Sequence, residues 1–438
     1  MKKMKSDVKV VSLEMTNVKN VKYGKIDFDL NNDNVLDAQV VGFYGQNGSG
    51  KTAVVEAFYI LQSLLNAQAL PSKNQRLIYE GQETLSLNFE FLVQTENETN
   101  KVNYHVELEY KEDRMVVKSE KIRAKEARYG KMFLYINEED SPIELRQKPK
   151  QEVENLLMGI KLLAEQVEGS LFFSKIISSQ SQKLFNGIDL VVYKALKEQF
   201  SKNILVIKNL QEGVFPTYLF YNFNTKLPES STYDIKDPVS LSKEQYNYLS
   251  NLVERNNVVL SAIIPGLHVY LKNMGATTLS NGVEGVRAEF ISKRGDRSLP
   301  LSAESAGTLK LFAITTSLIS VFHNPSACVI IDELDAGVFE YLLGELIEIF
   351  QEHSKGQLIF TSHNLRVLEK LSPQNIWFTT TNEKRRYIKF KNLQKNNNMR
   401  NVYLRTLLVG GQTEFLYEET NPIKIVRSFI EAGITDGD

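Results

Sequence analysis

The sequence predicts an α/β fold: two α/β lobes, the first carrying an antiparallel β subdomain, with a helical insertion between them. Three observations predict it. Apolar and polar residues alternate through 8–30 and 85–128, the period of strands with one wet face. "AQVVGFYGQNGSGKTAVVEAFYILQSLLNAQ" (38–68) passes from an apolar strand through a glycine-rich loop into a helical pattern. Beyond residue 285 strands and helices alternate again, as in a parallel sheet with crossover helices.

In chain order, "VKVVSLEM" (8–15) and "KIDFDL" (25–30) read as paired strands around a polar break at 17–24. "LSLNFEFLV" (85–93), "NYHVELEY" (103–110) and "RMVVKSEKIRA" (114–124) continue the antiparallel pattern to about residue 139. From 140 to 284 helical periods dominate, at 150–166, 190–200 and 243–263, with no sustained heptads. "LPESSTYDIKDPVSLS" (227–242) reads as a loop. The last section, 285–438, opens on a strand at 285–292 and a turn at Arg294-Gly295-Asp296. It continues with helix 304–322, strand 327–331, helix 338–353 and strand 357–361.

Composition narrows the classes. With 52 basic and 53 acidic residues the net charge is −1, so contact with nucleic acid would need a local patch rather than a global field. Cys328 is the single cysteine, which leaves no internal disulfide framework and points to a reducing, cytoplasmic setting. No apolar run reaches the roughly 18 residues of a membrane span, so no membrane partner is expected. Five histidines and one cysteine leave little to build a zinc site, and no G-x-S-x-G nucleophile motif occurs.

The chemistry sits in four stretches. "GQNGSGKT" comprises Gly45, Gln46, Asn47, Gly48, Ser49, Gly50, Lys51 and Thr52 and fits G-x-x-x-x-G-K-[ST] between strand and helix. Small residues there let backbone N–H groups converge on a phosphate at a helix N-terminus. Lys51 can reach the β- and γ-phosphates of ATP, and the Thr52 hydroxyl can bind Mg²⁺. "ACVIIDELD" (327–335) is an apolar strand ending in carboxylates. Asp332 can orient the magnesium shell and Glu333 can polarise the attacking water; the bland reading is a buried strand before an acidic turn. In "LSAESAGTLKLFAITTSL" (301–318), Ser305, Ala306 and Gly307 open a helix. They suit either a phosphate contact or a plain N-cap. "QLIFTSHN" (357–364) delivers His363 to the same strand edge, where a structural histidine is the alternative.

The order of these stretches resembles the ATP-binding cassette (ABC) ATPases. In that resemblance 45–52 is the Walker A loop, Ser305 to Thr308 the signature, Asp332 and Glu333 the Walker B pair, Asp335 part of the D-loop, and His363 the switch histidine. The implied fold is an ABC-type P-loop ATPase head with ATP and Mg²⁺ as cofactors and Lys51, Glu333 and His363 as catalytic groups. A further magnesium contact would come from a Q-loop glutamine, for which Gln82 and Gln94 are both candidates. "LEMTNVKNVKYGKIDFDL" and the form of the loop resemble the SMC and RecF branch. "ESAGT" (304–308) and the tail "NVYLRTLLVGGQTEF" (401–415) resemble stand-alone OLD-like and RecF-like anti-phage ATPases. No TOPRIM nuclease fits in the 75 residues after His363, and the long coiled coil of SMC proteins is missing.

The resemblance implies a head-to-tail homodimer, or a larger assembly built from it, sandwiching two ATP molecules. The expected role is a switch that senses a phage-encoded trigger or DNA and controls a separately encoded nuclease or toxin. The rival reading is a DNA-binding repair or chromosome-maintenance ATPase. Its candidate basic surface is Lys118, Lys121, Arg123, Lys125, Arg128 and Lys131 with Lys384, Arg385 and Arg386, although interspersed acids also suit a solvated face.

Overall fold

The computed structural model describes residues 6–28, 38–73, 76–96, 98–111, 113–125, 132–137, 143–145, 151, 154–157, 159, 184–185, 187–208, 214–216, 232–390, 398–409, 414, 416 and 421–433. The chain begins with β1 (Asp7–Val18), β2 (Val21–Asp27), β3 (Gln39–Tyr44), α1 (Lys51–Leu65), β4 (Thr84–Gln94), β5 (Thr99–Lys111), β6 (Arg114–Lys125), β7 (Met132–Asn137) and β8 (Ile143–Leu145). Its middle gives α2 (Gly187–Tyr193), β9 (Ile204–Ile207), β10 (Val214–Pro216), β11 (Thr232–Asp234), β12 (Val239–Leu241), α3 (Lys243–Ile263) and β13 (His268–Thr278). Then follow β14 (Glu284–Arg294), β15 (Arg297–Pro300), α4 (Ala306–His323), β16 (Cys328–Ile331), α5 (Glu340–His353) and β17 (Gln357–Thr361). The last elements are α6 (Leu365–Lys370), β18 (Ile376–Thr379), β19 (Tyr387–Ile388), α7 (Met399–Val409) and α8 (Pro422–Gly433).

Two large sheets organise these elements. The first, antiparallel, runs β2-β1-β4-β5-β6-β7-β8. The second runs β19-β18-β3-β17-β16-β9 and is parallel except at the β18–β19 edge. Its strands are apolar for most of their length because both faces are covered. Successive residues take opposite sides: Val41, Phe43, Cys328, Ile330 and Ile359 enter the core shared with α1 and the first sheet. Val40, Tyr44, Val329, Ile331, Leu358 and Phe360 enter a second core under α4 and α5. A third core joins α3 to β13 and β14. Helix α4 feeds two of them, with Leu311, Ile314 and Leu318 in one and Leu309 and Phe312 in the other.

That double burial explains the composition of α4. It is the one described helix long and apolar enough to cross a membrane, by length and composition, so the expectation that no such run exists needs correcting. Of its length, 72% is buried inside the protein, and a helix packed on both sides is apolar all round.

The stretch expected to be a helical insertion, 140–284, is mixed among its described residues. Helix α3 covers 243–263 as the period predicts, opened by a capping box of Ser242 and Gln245. But β9 joins the parallel sheet beside β16, and β13 pairs with β14 across residue 284. β9 is only "ILVI", and periodicity does not separate so short an apolar run from a helix turn. Within the expected loop at 227–242, 232–234 and 239–241 form short strands. The helical pattern at 150–166 lies for the most part outside the described residues.

Candidate functional site

The loops leaving the C-terminal ends of β3, β16 and β17 meet at one edge, the edge where parallel α/β sheets bind ligands. There a cleft of about 1130 Å³ is lined by Asn47, Gly48, Gly50, Lys51, Thr52, Asp332, Glu333 and His363. Three motifs far apart in the sequence thus share one cavity.

The glycine loop is built for an anion. Gly50, the N-cap of α1, sits at φ +104, and a Cβ there would stand 2.8 Å from Val21. Only glycine tolerates both conditions without strain. With no side chain at the cap and no acid in its first turn, the start of α1 keeps its N–H donors and positive dipole end for a ligand. α4 differs, since Ser305 Oγ accepts from the Thr308 N–H at 3.2 Å. Lys51 is 7% exposed, and its ammonium donates to the carbonyls of Gly45 (2.7 Å) and Gln46 (3.1 Å). Burial lowers its pKa, against the pull of Asp332, Glu333 and Asp335. Gly45, Gln46 and Ser49 shape the loop rather than line the cleft. Ser49 Oγ donates to the Gln46 carbonyl at 2.6 Å and also meets Thr379. Tyr387 ties the loop to β19 by donating to the Gly50 carbonyl at 2.8 Å.

The acidic side is held as firmly. Asp332 is 4% exposed and accepts a 2.6 Å bond from the Thr361 hydroxyl, which itself accepts from the Glu333 N–H at 2.7 Å. β17 lies between β3 and β16, so Thr361 at its end fixes both carboxylate residues against the loop. Glu333 has φ +49, a left-handed setting that a non-glycine residue adopts only when its surroundings hold it. Asp335 accepts from the His363 N–H at 3.0 Å, while its Oδ1 is buried without a hydrogen-bond partner among the described residues. It borders a second recess of about 270 Å³ with Asn47, Glu333, Ala336 and His363. Burial first, then the charge of Lys51, hold the His363 imidazole below its ordinary 6.5, against the three carboxylates.

Other expected residues fall in different places. Gln82 lines the cleft, with Asn17 donating to its Oε1 at 3.4 Å, whereas Gln94 ends the 11-residue β4, paired with Asp7 and Thr99. Ser305, Ala306 and Gly307 are absent from the cleft lining; Ser305 and Ala306 are exposed and Gly307 is half-buried. Gly307 packs directly on the turn that follows β16, where a methyl group would stand 2.0 Å from the Gly337 carbonyl. Of the candidate basic surface, Arg386 is removed. It is 7% exposed and donates to the carbonyls of Thr380 and Asn20, both at 2.9 Å. Lys118 pairs with Glu107 and Arg385 with Glu414, each at 3.6 Å. Arg128 and Lys131 lie outside the described residues.

Sequence reasoning missed Lys19, Asn20, Lys73, Arg76 and Tyr79, which also line the cleft. For Lys73, Arg76 and Tyr79 the signal was the unusual length of the connection from Leu65 to Thr84, where typical connections run about 4–6 residues; Lys19 and Asn20, in the turn between β1 and β2, carried none.

The donor set fits a nucleoside triphosphate with Mg²⁺: an uncapped helix start, a buried ammonium now bonded to carbonyls, a hydroxyl and a buried carboxylate. Fold and site together define a P-loop α/β fold, a parallel sheet whose glycine loop and carboxylate-bearing strand end meet at one edge. The family model described as "AAA domain, putative AbiEii toxin, Type IV TA system" matches residues 40–369, and the chain belongs to that family. No curated protein matches the sequence. Among solved structures, an Smc head bound to the C-terminal winged-helix domain of ScpA is similar at 15% identity. The match covers 87% of this chain and 98% of that one, with a TM-score of 0.43. The SMC head domain from Thermotoga maritima matches at 15% identity, covering 88% and 100%, with a TM-score of 0.37. The recombination mediator RecF with ATP matches at 12%, covering 82% and 94%, also at 0.37.

Proposed function

We propose that the chain binds ATP with Mg²⁺ and hydrolyses it as a head-to-tail homodimer, acting as a switch over a separately encoded effector in anti-phage defence. The observation that carries the reading is a separation: Lys51, Thr52, Asp332, Glu333 and His363 line one cleft, while Ser305, Ala306 and Gly307 are not among its lining residues and the first two are exposed. A signature loop exposed outside its own cleft suits a role in completing another subunit's.

In this reading Lys51 leaves the carbonyls of Gly45 and Gln46 for the β- and γ-phosphates, and the N–H groups at the start of α1 take the phosphate oxygens. Thr52 and Asp332 would hold Mg²⁺, which would supply positive charge beside the β- and γ-phosphates; Gln82, which lines the same cleft, would add the further contact. Glu333 accepts a proton from the attacking water, and neutral His363 meets the γ-phosphate region through its ring. Donors from the partner's Ser305 loop stabilise charge that develops at the γ-phosphate. ADP lacks that phosphate, so a closed-state preference of about 4 kcal/mol for ATP shifts populations roughly a thousandfold.

Lys51→Ala is expected to remove nucleotide binding. Two charge-assisted bonds at about 1.5–3 kcal/mol each amount to a loss of roughly a hundredfold or more in affinity. Unchanged ATP affinity by calorimetry would reject the loop as the phosphate site.

His363 gives a pH test. Its depressed pKa adds stability that is present above 6.5 and lost as pH falls through the folded value. The acid limb of kcat/KM due to His363 should therefore lie below pH 6.5, and His363→Ala should erase it. A limb above 6.5 that survives the substitution excludes this assignment.

The defence role is motivated by the family description, which names a toxin–antitoxin system. The layout resembles the ATPase subunit of the PARIS system, whose partner would be a nuclease. A phage-encoded protein or DNA would be the trigger, acting in the cytoplasm. Cells carrying this chain with its neighbouring genes should plate phage less efficiently than cells carrying Lys51→Ala. Equal plating, with turnover stimulated by DNA in a salt-dependent way, would favour the repair reading instead.

A further inference from the structure

Lys310 is a buried charge that the cleft chemistry does not use. It lies on the second turn of α4, is 2% exposed, and is not among the residues that line the cleft. Its ammonium donates to the Glu333 carbonyl at 2.6 Å and to the Ala336 carbonyl at 2.9 Å. Both acceptors belong to the turn that follows β16, and the first is the backbone of the residue held at φ +49. Thr361 grips the same residue from the other side through its N–H. Beside Lys310, Gly307 lies so close to Gly337 that no side chain fits between them.

Burying an ammonium is unfavourable unless its donors are met, and a methionine would fill the same volume without that penalty. The charge is therefore placed where it fixes two carbonyls. We propose that Lys310 is a positioning residue: it holds Glu333 in its left-handed setting and makes the start of α4 and the 333–337 turn move as one body. This rests on the reading above, in which Ser305 grips a partner's nucleotide and Glu333 activates water in its own cleft. ATP held by Ser305 in one cleft then sets the placement of Glu333 in the other, with Lys310 as the side chain that joins the two sites of the pair.

The test is Lys310→Met in the full-length protein, with ATP affinity, turnover and hydrogen exchange measured against wild type. A misplaced catalytic group costs about a hundredfold. The expected result is therefore a kcat lower by about that factor, with ATP affinity kept within about twofold. ATP should slow exchange at 45–52 in both proteins, but at 332–338 only in wild type. Lys310→Arg, which keeps charge and donors, should turn over faster than the methionine variant. Wild-type kcat with the same slowing at 332–338 would overturn the proposal. So would arginine and methionine variants that lose ATP binding and turnover together, since that marks a purely structural lysine. A wild type without ATP turnover would sink the ATPase reading itself; an active wild type matched by Lys310→Met sinks only the role given to Lys310.

Discussion

Glu333→Gln is expected to bind ATP with wild-type affinity and to hydrolyse it about a thousandfold more slowly, the scale of losing a positioned general base. The amide keeps the shape of the side chain and the backbone contacts to Thr361 and Lys310, so the turn is preserved. What is lost is the capacity to accept a proton beside His363 and Asp332 in the cleft. With cleavage blocked and ATP in place, the closed assembly should accumulate. Single-turnover measurement with labelled ATP separates the steps: binding intact and cleavage slow supports the assignment. Turnover at the wild-type rate would remove Glu333 as the base.

Ser305→Arg should be as damaging by a different route. Ser305 is exposed and does not line its own cleft, so the subunit should fold and bind ATP as before. The cap on Thr308 is lost, at about 1 kcal/mol, which a core helix such as α4 tolerates. A bulky side chain at that point keeps the partner's γ-phosphate from its donors, and each such donor is worth about 10²–10³ in rate. Turnover should therefore fall by a factor on that order or more while calorimetry of the monomer is unchanged. Loss of ATP binding as well would mean that the helix start had collapsed.

How much of this was legible in the sequence differs by element. β3 and α1, and β16 and β17, were legible because each is an apolar run with a sharp chemical stop: a glycine loop, two carboxylates, a histidine. Their ends fall within a few residues of the expected ones. β9 was not legible, because four apolar residues carry no period and their partner Cys328–Ile331 lies more than a hundred residues on. The Lys73 to Gln82 wall was hidden for another reason. It has neither helical nor strand period, and only the antiparallel sheet behind it brings it over the loop. Lys310 and Arg386 show the limit of reading charges. In the sequence both look like surface cations, yet each is buried against backbone carbonyls contributed by distant segments. Choosing between Gln82 and Gln94 likewise needed three dimensions, since one strand of 11 residues carries them to opposite ends.

The account stands on two surfaces of different subunits closing on one triphosphate. The most direct test is the particle mass of Glu333→Gln in solution with saturating ATP, with ADP, and with Ser305→Arg added to the same chain. A pair, or a multiple of a pair, that forms with ATP and disappears with ADP or with the added arginine is the predicted result. A particle that stays monomeric under all three conditions, while the wild-type monomer cleaves ATP at full rate, would contradict it.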